Sequence, residues 1–283
     1  PYPGCRPMTA VTHIALIQLC ATNDVAENLQ CAGELISAAA AAGARVILLP
    51  EAFAYIGEDE GKKKILEPLD ATSKATPIRD WCTDLARRYQ IDLIAGGFHE
   101  TSADPARSYN TCVHFDKQGN IAARYRKIHL FDVALADGTV LNESAKTLPG
   151  ESVETAQLPF GTLGLSVCYD LRFPYLYQRL VDQGAIALCV PSAFTATTGA
   201  AHWHTLLRAR AIESQCYVLA PAQHGQHNVR RRSYGHSMVI DPWGEIIAEL
   251  PDGDGFLLAT IDPDAVTRIR TQLPSLQHRR DIH

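Results

Sequence analysis

Three residues of unlike chemistry close three separated segments of this chain: Glu51 ends VILLPE, Lys127 ends IAARYRK, and Cys168 ends LGLSVC. A thiol with a pKa near ~8.5 is only a few per cent thiolate at neutral pH, so a nucleophilic cysteine needs a base or nearby positive charge. A carboxylate and an ammonium supply one of each. Together the three side chains have the means for acyl transfer, with proton removal by Glu51, attack by the Cys168 sulfur and stabilisation of developing negative charge by Lys127. Taken singly, each has an ordinary structural reading: a Glu after a strand caps a helix, a Lys after a hairpin is solvated, and a Cys near a strand end fills core. Context must decide.

The elements that position them alternate in type. The first half reads as strand VTHIALIQL, a helix over about 24–42, strand RVILLP, a helix over about 77–89, strand IDLIAGGF, and a hairpin pairing YNTCVHF with IAARYRK across DKQGN. The second half repeats this order: strand GLSVCY, helix PYLYQRLVDQG, strand AIALCVP, helix HWHTLLRARAIESQ, strand CYVLAP, hairpin SMVID/EIIAEL across PWG, and a last strand FLLATID. Two βαβα runs, each followed by a hairpin, predict a pseudo-duplicated α/β protein with two sheets in one unit. Residues 1–7, PYPGCRP, precede Met8, lack the apolar stretch of a signal peptide and are read as lying outside a single domain over 8–283. Glu51 and Cys168 both fall just beyond the carboxyl end of a strand, where ligands bind in open α/β sheets. The polar segment 137–150 is expected to loop over the site.

With these contexts, the sequence resembles the nitrilase superfamily of carbon–nitrogen hydrolases in LLPEAF around Glu51, YRKIHLFD around Lys127 and VCYDLRFP around Cys168. Three separated motifs stand in the right order, and GGFHE, NES followed by PG, PSAF, TTGAAHW, RARAIE and SYGHSMVIDPWGE agree with them. The resemblance, which spans about residues 11–280, implies a four-layer αββα sandwich of two mixed sheets with a pseudo-twofold repeat. It also implies a Glu51, Lys127, Cys168 triad with Glu143 of LNESAKTLPG as a second glutamate. On that reading Lys127 shares the oxyanion with the backbone N–H of Tyr169, Glu51 protonates the leaving amine and then activates water against a thioester, and Glu143 holds Lys127. Assembly as a homodimer or larger homo-oligomer is implied as well.

Composition narrows the class further. A formal charge of −5 and a pI near 6.1 argue against a nucleic-acid partner, despite the basic runs RYRK and RRR. No apolar run is long enough to predict a membrane span, since Gly43 and Arg45 interrupt the alanine-rich stretch. The eight cysteines never come closer than 11 positions, which excludes CxxC motifs and points to a reducing, cytoplasmic setting. The chemistry calls for no cofactor, and no GxGxxG or P-loop pattern is present.

Competing sites are few. His202 and His204 in AHWH, with His224 and His227 in QHGQH, invite a metal reading, but no HExxH or cysteine ligand pattern accompanies them; they are expected to line or cover the pocket, with no metal. A Cys–His protease would use His129 or His236 as base, but no local protease signature surrounds Cys168. A scaffold protein of the same fold would have no need of the intact Cys, Glu and Lys. Within the superfamily, FHE, TTGAAHW and QHGQHNVRRRSYGHSMVIDPWG most resemble the Nit-type amidases that hydrolyse deaminated glutathione to 2-oxoglutarate and cysteinylglycine. The alternative is an ω-amidase acting on 2-oxoglutaramate or 2-oxosuccinamate, or another amide, nitrile or carbamoyl hydrolase. A small-molecule substrate with a dicarboxylate acyl part wants a cation, for which Arg172, Arg230, Arg231 and Arg232 are candidates; Phe194, His202 and Trp203 are candidate contacts beside them.

Overall fold

In the computed structural model, which describes residues 10–70, 75–134 and 140–280, the period-two alternation of the strands sets the architecture. Residues 1–7, Cys5 among them, and the stretch 137–139 of the expected loop lie outside the described residues. The first half runs β1 (Thr12–Gln18), α1 (Val25–Ala41), β2 (Val46–Leu49), α2 (Asp59–Lys64), α3 (Pro77–Tyr89), β3 (Asp92–Glu100), β4 (Tyr109–Phe115) and β5 (Ile121–Arg126), then a short ribbon of β6 (Asp132–Ala134) with β7 (Val140–Asn142). The second half runs β8 (Thr155–Leu158), β9 (Gly161–Leu165), α4 (Pro174–Asp182), β10 (Ala187–Cys189), α5 (Ala196–Ser214), β11 (Tyr217–Ala220), and a ribbon of β12 (His224–Gln226) with β13 (Arg232–Tyr234). It closes with β14 (Ser237–Ile240), β15 (Ile246–Leu250), β16 (Gly255–Ile261) and α6 (Pro263–Gln272).

The two six-stranded sheets have the orders β16-β1-β2-β3-β4-β5 and β8-β9-β10-β11-β14-β15. Position by position they correspond: an antiparallel edge strand, three mutually parallel strands, then two antiparallel ones. The expected pseudo-twofold is therefore present in topology, with one correction. The last strand, read as part of the second half, pairs along β1 and completes the first sheet, from Thr12↔Ile261 to Gln18↔Gly255. Its counterpart in the second sheet is β8, a strand the sequence reading left out.

Side-chain alternation then makes four layers. Ala15, Ile17, Ile47 and Leu49 join one apolar cluster with Ala32, Ile36, Cys82 and Leu85 of α1 and α3. Their strand neighbours Ile14, Leu16, Val46 and Leu48 point the other way, into a cluster shared with Leu163, Leu165 and Cys189 of the second sheet and Leu180 and Leu207 of α4 and α5. The order is thus helices, sheet, sheet, helices. The Cys112 and Cys189 thiols meet across the sheet interface. Truncating a buried leucine of this layer, such as Leu165, to alanine removes about 2–5 kcal/mol.

Local signals explain most boundaries. Asp24 caps α1 by accepting from Glu27 N at 3.0 Å. Pro77 opens α3, and Gln90 closes it in the left-handed region. Helix α5 begins at Ala196, earlier than the His202 expected from its apolar periodicity. Gly199 inside it is dictated by packing, since a Cβ there would lie 2.5 Å from Tyr234 Cγ.

Candidate active site

Both sheets contribute to one cavity of about 340 Å³, lined among others by Glu51, Lys127, Glu143, Cys168, Tyr169 and Phe194. That volume lies within the range of small-molecule sites. The four residues the sequence singled out for chemistry are all here, from four separate segments.

Two strained turns bring the nucleophile and the carboxylate to the rim of the sheets. Cys168 follows β9 with φ +49°, and Ala52, directly after Glu51, has φ +56°. Left-handed backbone is unfavourable for a residue with a Cβ and persists only when the surroundings fix it. Here they do: Cys168 N donates to Pro191 O at 3.0 Å, and Gln223 Nε2 donates to Glu51 O at 3.0 Å. The glycines of GGFHE let the strand ends converge. A Cβ on Gly96 would lie 2.6 Å from Leu49 O and still closer to Pro191; one on Gly97, at φ +64°, would lie 2.7 Å from Glu51 Cγ.

Glu51 is the hub. Its Oε1 accepts from Asn110 Nδ2 at 2.8 Å and from Lys127 Nζ at 3.2 Å, while Oε2 accepts from the Ala193 backbone N–H, in the loop after β10, at 2.9 Å. Lys127 also reaches Glu143 Oε2 at 2.9 Å and Oε1 at 3.1 Å, and Glu143 is held by Phe131 N at 2.7 Å. Asn110 spans the two carboxylates, donating to Glu143 Oε1 at 3.3 Å. Lys127, with 2% of its surface exposed, is therefore a buried ammonium with paired charge, the arrangement that offsets desolvation.

Electrostatics follow from that pairing. Burial alone raises the pKa of Glu51, but the Lys127 ammonium and hydrogen bonding from the Cys168 thiol outweigh it and hold the carboxyl down at about 2. Burial and the adjacent Glu51 charge push the Cys168 thiol well above its ordinary value, against the pull of Lys127. Burial also works against the Lys127 ammonium, yet Glu143 and Glu51 raise its pKa overall. At rest the pair is a thiol hydrogen-bonded to a carboxylate. The Tyr169 N–H, in the first turn of the 3-10 helix that carries Cys168, has no acceptor among the described residues.

Not every sequence candidate reaches the cavity. Phe194 lines it, whereas Arg172, His202, Trp203 and Arg232 do not. Trp203 is fully buried behind Phe194, with ring centroids 5.0 Å apart and its indole N–H on His236 O at 2.9 Å. Arg172 stacks its guanidinium over the Phe194 ring at 5.2 Å and donates to His202 Nδ1 at 3.3 Å, so the two occupy each other. Among the consecutive arginines, Arg231, just before β13, lines the cavity, and Arg232, its first residue, is exposed.

The histidine alternatives dissolve into structural roles. His129 donates from Nδ1 to Asp170 Oδ1 at 2.6 Å and stacks on Phe173 with ring centroids 3.7 Å apart, and His236 donates to Glu249 Oε1 at 2.6 Å; neither lines the cavity. His224 sits between Asp252 and Asp254, while His227 is buried, bonded to Ala21 O and Ser233 Oγ. His204, His236 and Glu249 gather instead, away from the cavity, with ligand atoms within 4.8 Å of one another and hydrogen bonds that account for their contacts.

Several residues escaped the sequence reading. Asn110 and Gln223 fix Glu51, and Lys62 and His99 line the cavity. Asp170, with no exposed surface, ties the nucleophile turn to the Lys127 segment: it accepts from Val167 N at 2.9 Å, Tyr125 Oη at 2.8 Å and His129 N at 3.1 Å. Its signal is a carboxylate two positions after the cysteine, directly following a strand-like run.

Comparison with known proteins now bears on this geometry. The family profile described as carbon-nitrogen hydrolase matches residues 13–271. A Synechocystis relative named deaminated glutathione amidase is 45% identical over 268 residues, covering 94% of this chain and 97% of that protein. The chain belongs to the carbon–nitrogen hydrolase family. The human protein of the same name is 44% identical over 272 residues, covering 94% of this hydrolase and 82% of its own length. Among solved structures, the Caenorhabditis elegans NitFhit protein superposes with a TM-score of 0.89 at 40% identity, covering 96% of the hydrolase, which spans 66% of that chain. Saccharomyces cerevisiae Nit3, a member of branch 10 of the nitrilase superfamily, gives 0.85 at 29% identity, with 99% and 100% covered. The hydrolase shares their αββα sandwich and acts on carbon–nitrogen bonds. Among the described residues no helix is long and apolar enough to cross a membrane.

Proposed function

We propose that the hydrolase is a cysteine-dependent amidase that cleaves deaminated glutathione into 2-oxoglutarate and cysteinylglycine through a thioester. The observation that carries this reading is the coincidence of near-full-length relatives of that name with a complete Glu51–Lys127–Glu143–Cys168 network in one cavity.

The electrostatics suggest how the steps are ordered. A thiol held protonated beside an acid-resistant carboxylate does not ionise by itself, so proton transfer to Glu51 accompanies attack, as charge moves from sulfur to the carbonyl oxygen. That oxygen is met by the Lys127 ammonium and the Tyr169 N–H. Collapse returns the proton from Glu51 to the departing amine of cysteinylglycine and leaves 2-oxoglutarate esterified on Cys168 Sγ. Glu51 then takes a proton from water as the water adds to the thioester carbonyl. The second collapse frees the thiol and 2-oxoglutarate. Glu143 keeps Lys127 charged and placed throughout.

The test is hydrolysis of deaminated glutathione beside 2-oxoglutaramate, followed by 2-oxoglutarate release, with Cys168→Ala as blank. Preference for the dipeptide-bearing substrate and no turnover by Cys168→Ala is the expected result. Preference for 2-oxoglutaramate, or activity surviving without the thiol, overturns the reading.

A further inference from the structure

The cavity holds more positive charge than its chemistry uses. Of the carboxylates that line it among the described residues, Glu51 and Glu143 are committed to Lys127, which leaves Asp59 to face Lys62, Lys146 and Arg231. The Lys62 ammonium, from the last turn of α2, forms no ion pair or hydrogen bond among the described residues, and burial pulls its pKa down against the nearby Glu143 and Asp59 charges. Arg231 is partly buried; its Nε is shielded from solvent with no partner, and no carboxylate pairs with its guanidinium among the described residues. The neighbouring His99 presents a second orphan: Nε2 donates to Tyr55 O at 3.2 Å, and Nδ1 is buried without a partner among the described residues. Orphaned polar atoms that line a cavity and are left unpaired are expensive, and their cost is recovered when a complementary ligand arrives. The protein as a whole carries a formal charge of −5, so this cationic patch is not a general surface property.

We propose that Lys62 and Arg231 form a subsite that clamps the free 2-oxo carboxylate of the acyl group, making the hydrolase selective for amides whose acyl chain ends in an anion. The subsite rests on the amidase reading above and deepens it. A guanidinium and an ammonium suit this task together, the first as a planar fork for two carboxylate oxygens and the second as a mobile point charge. Anchoring the far end of the acyl chain fixes the amide carbonyl against Cys168, and a neutral acyl group of equal length gains none of that attachment.

Selectivity tests the clamp. The comparison pairs deaminated glutathione with 4-oxopentanoyl-cysteinylglycine, in which a methyl group replaces the 2-oxo carboxylate and the leaving group is unchanged. In Lys62→Met and in Arg231→Gln the ratio of kcat/KM for the two substrates should fall at least about tenfold, the loss expected when a charge-assisted bond to a carboxylate is removed. Arg231→Lys, which keeps the charge, should recover part of it. Equal losses on both substrates, or an unaltered ratio, overturn the subsite. Protection of Cys168 from iodoacetamide separates this outcome from failure of the amidase reading, because it needs no turnover. If the wild-type protein does not hydrolyse deaminated glutathione, that reading falls, and the subsite is decided by protection alone. Protection by 2-oxoglutarate and not by 4-oxopentanoate, lost in Lys62→Met, supports the clamp; equal protection by both ligands refutes it.

Discussion

Lys127 and Lys62 line the same cavity in opposite electrostatic circumstances. Lys127 is 2% exposed and bonded to two carboxylates, so its charge is kept by Glu143 and Glu51 against the pull of burial. Lys62 is partly buried without an ion-pair partner among the described residues, and burial moves its pKa the other way. The difference separates two uses of a cation. A paired, fully fixed ammonium is preorganised for charge that develops during reaction, whereas an unpaired one is held ready for charge that arrives with the ligand.

The comparison breaks most visibly at Lys127. Lys127→Met removes the oxyanion donor and leaves Glu51 and Glu143 facing each other, so kcat should fall about a hundredfold or more. Breaking a buried pair costs about 3–5 kcal/mol, and a clear drop in Tm should accompany the loss. Lys62→Met should leave Tm unchanged or raised, because no ion pair among the described residues offsets that lysine's desolvation. Equal Tm losses in the two variants would erase the distinction.

Asp170 extends the paired class beyond the reacting groups. Asp170→Asn replaces one acceptor oxygen by a donor, so it cannot serve Val167 N, Tyr125 Oη and both His129 contacts together. The expected effect is a fall of about tenfold to a hundredfold in kcat with little change in KM, since a misplaced nucleophile loses rate before it loses binding. Slower iodoacetamide labelling of Cys168 in the variant would show that the thiol had moved. Unaltered labelling with a raised KM would contradict a positioning role.

Gly97 offers a smaller test of how the site is built. Gly97→Ala puts a Cβ at φ +64°, 2.7 Å from Glu51 Cγ. The left-handed backbone costs about 1–2 kcal/mol on its own, and displacement of Glu51 should reduce kcat severalfold more than stability alone explains. A variant that is destabilised yet turns over at the wild-type rate would show that Glu51 tolerates the shift.

The paired network was legible in the sequence for a physical reason. Glu51, Lys127 and Cys168 each close a run of strand character, and a charged residue at a strand end stands out against its neighbours. The sheets and main helices were readable from the same alternation. What escaped were features whose meaning lies in another segment. Strand β16 was found but assigned to the wrong sheet, because its register is set by β1, more than two hundred positions away. Helix α6 stands outside the sequence reading although Pro263 and Asp262 mark its start, since Val266 is the one buried residue in it. Of the four candidate arginines Arg172 is nearest Cys168 in sequence, but its place behind Phe194 leaves the cavity to Arg231. Lys62 carried no local signal at all. In GKKK it is one of three lysines, and what distinguishes it is a cavity formed by distant segments.

The gentlest probe of the unpaired class is acid. His99 is held down to about 3 by burial and by the Lys62 charge, and His227 to about 4 by burial, so both are neutral in the folded chain at neutral pH. In the unfolded chain each takes a proton near the ordinary value of about 6.5. The unfolded state therefore binds more protons as pH falls from about 6.5 toward 4, and folding stability must decline over that window. The two histidines should cost about 1–2 kcal/mol each by pH 5, with full stability above pH 7. Urea unfolding at pH 7.5 and 5.0 measures the slope, and His99→Gln with His227→Gln should flatten it; a slope the double variant leaves intact would assign the acid sensitivity elsewhere. The same measurement reaches the clamp. Saturating 2-oxoglutarate, by neutralising Lys62 and Arg231, should relieve the pressure on His99 and make the slope shallower in the wild-type protein. In Lys62→Met the slope should start shallower and respond less to the ligand.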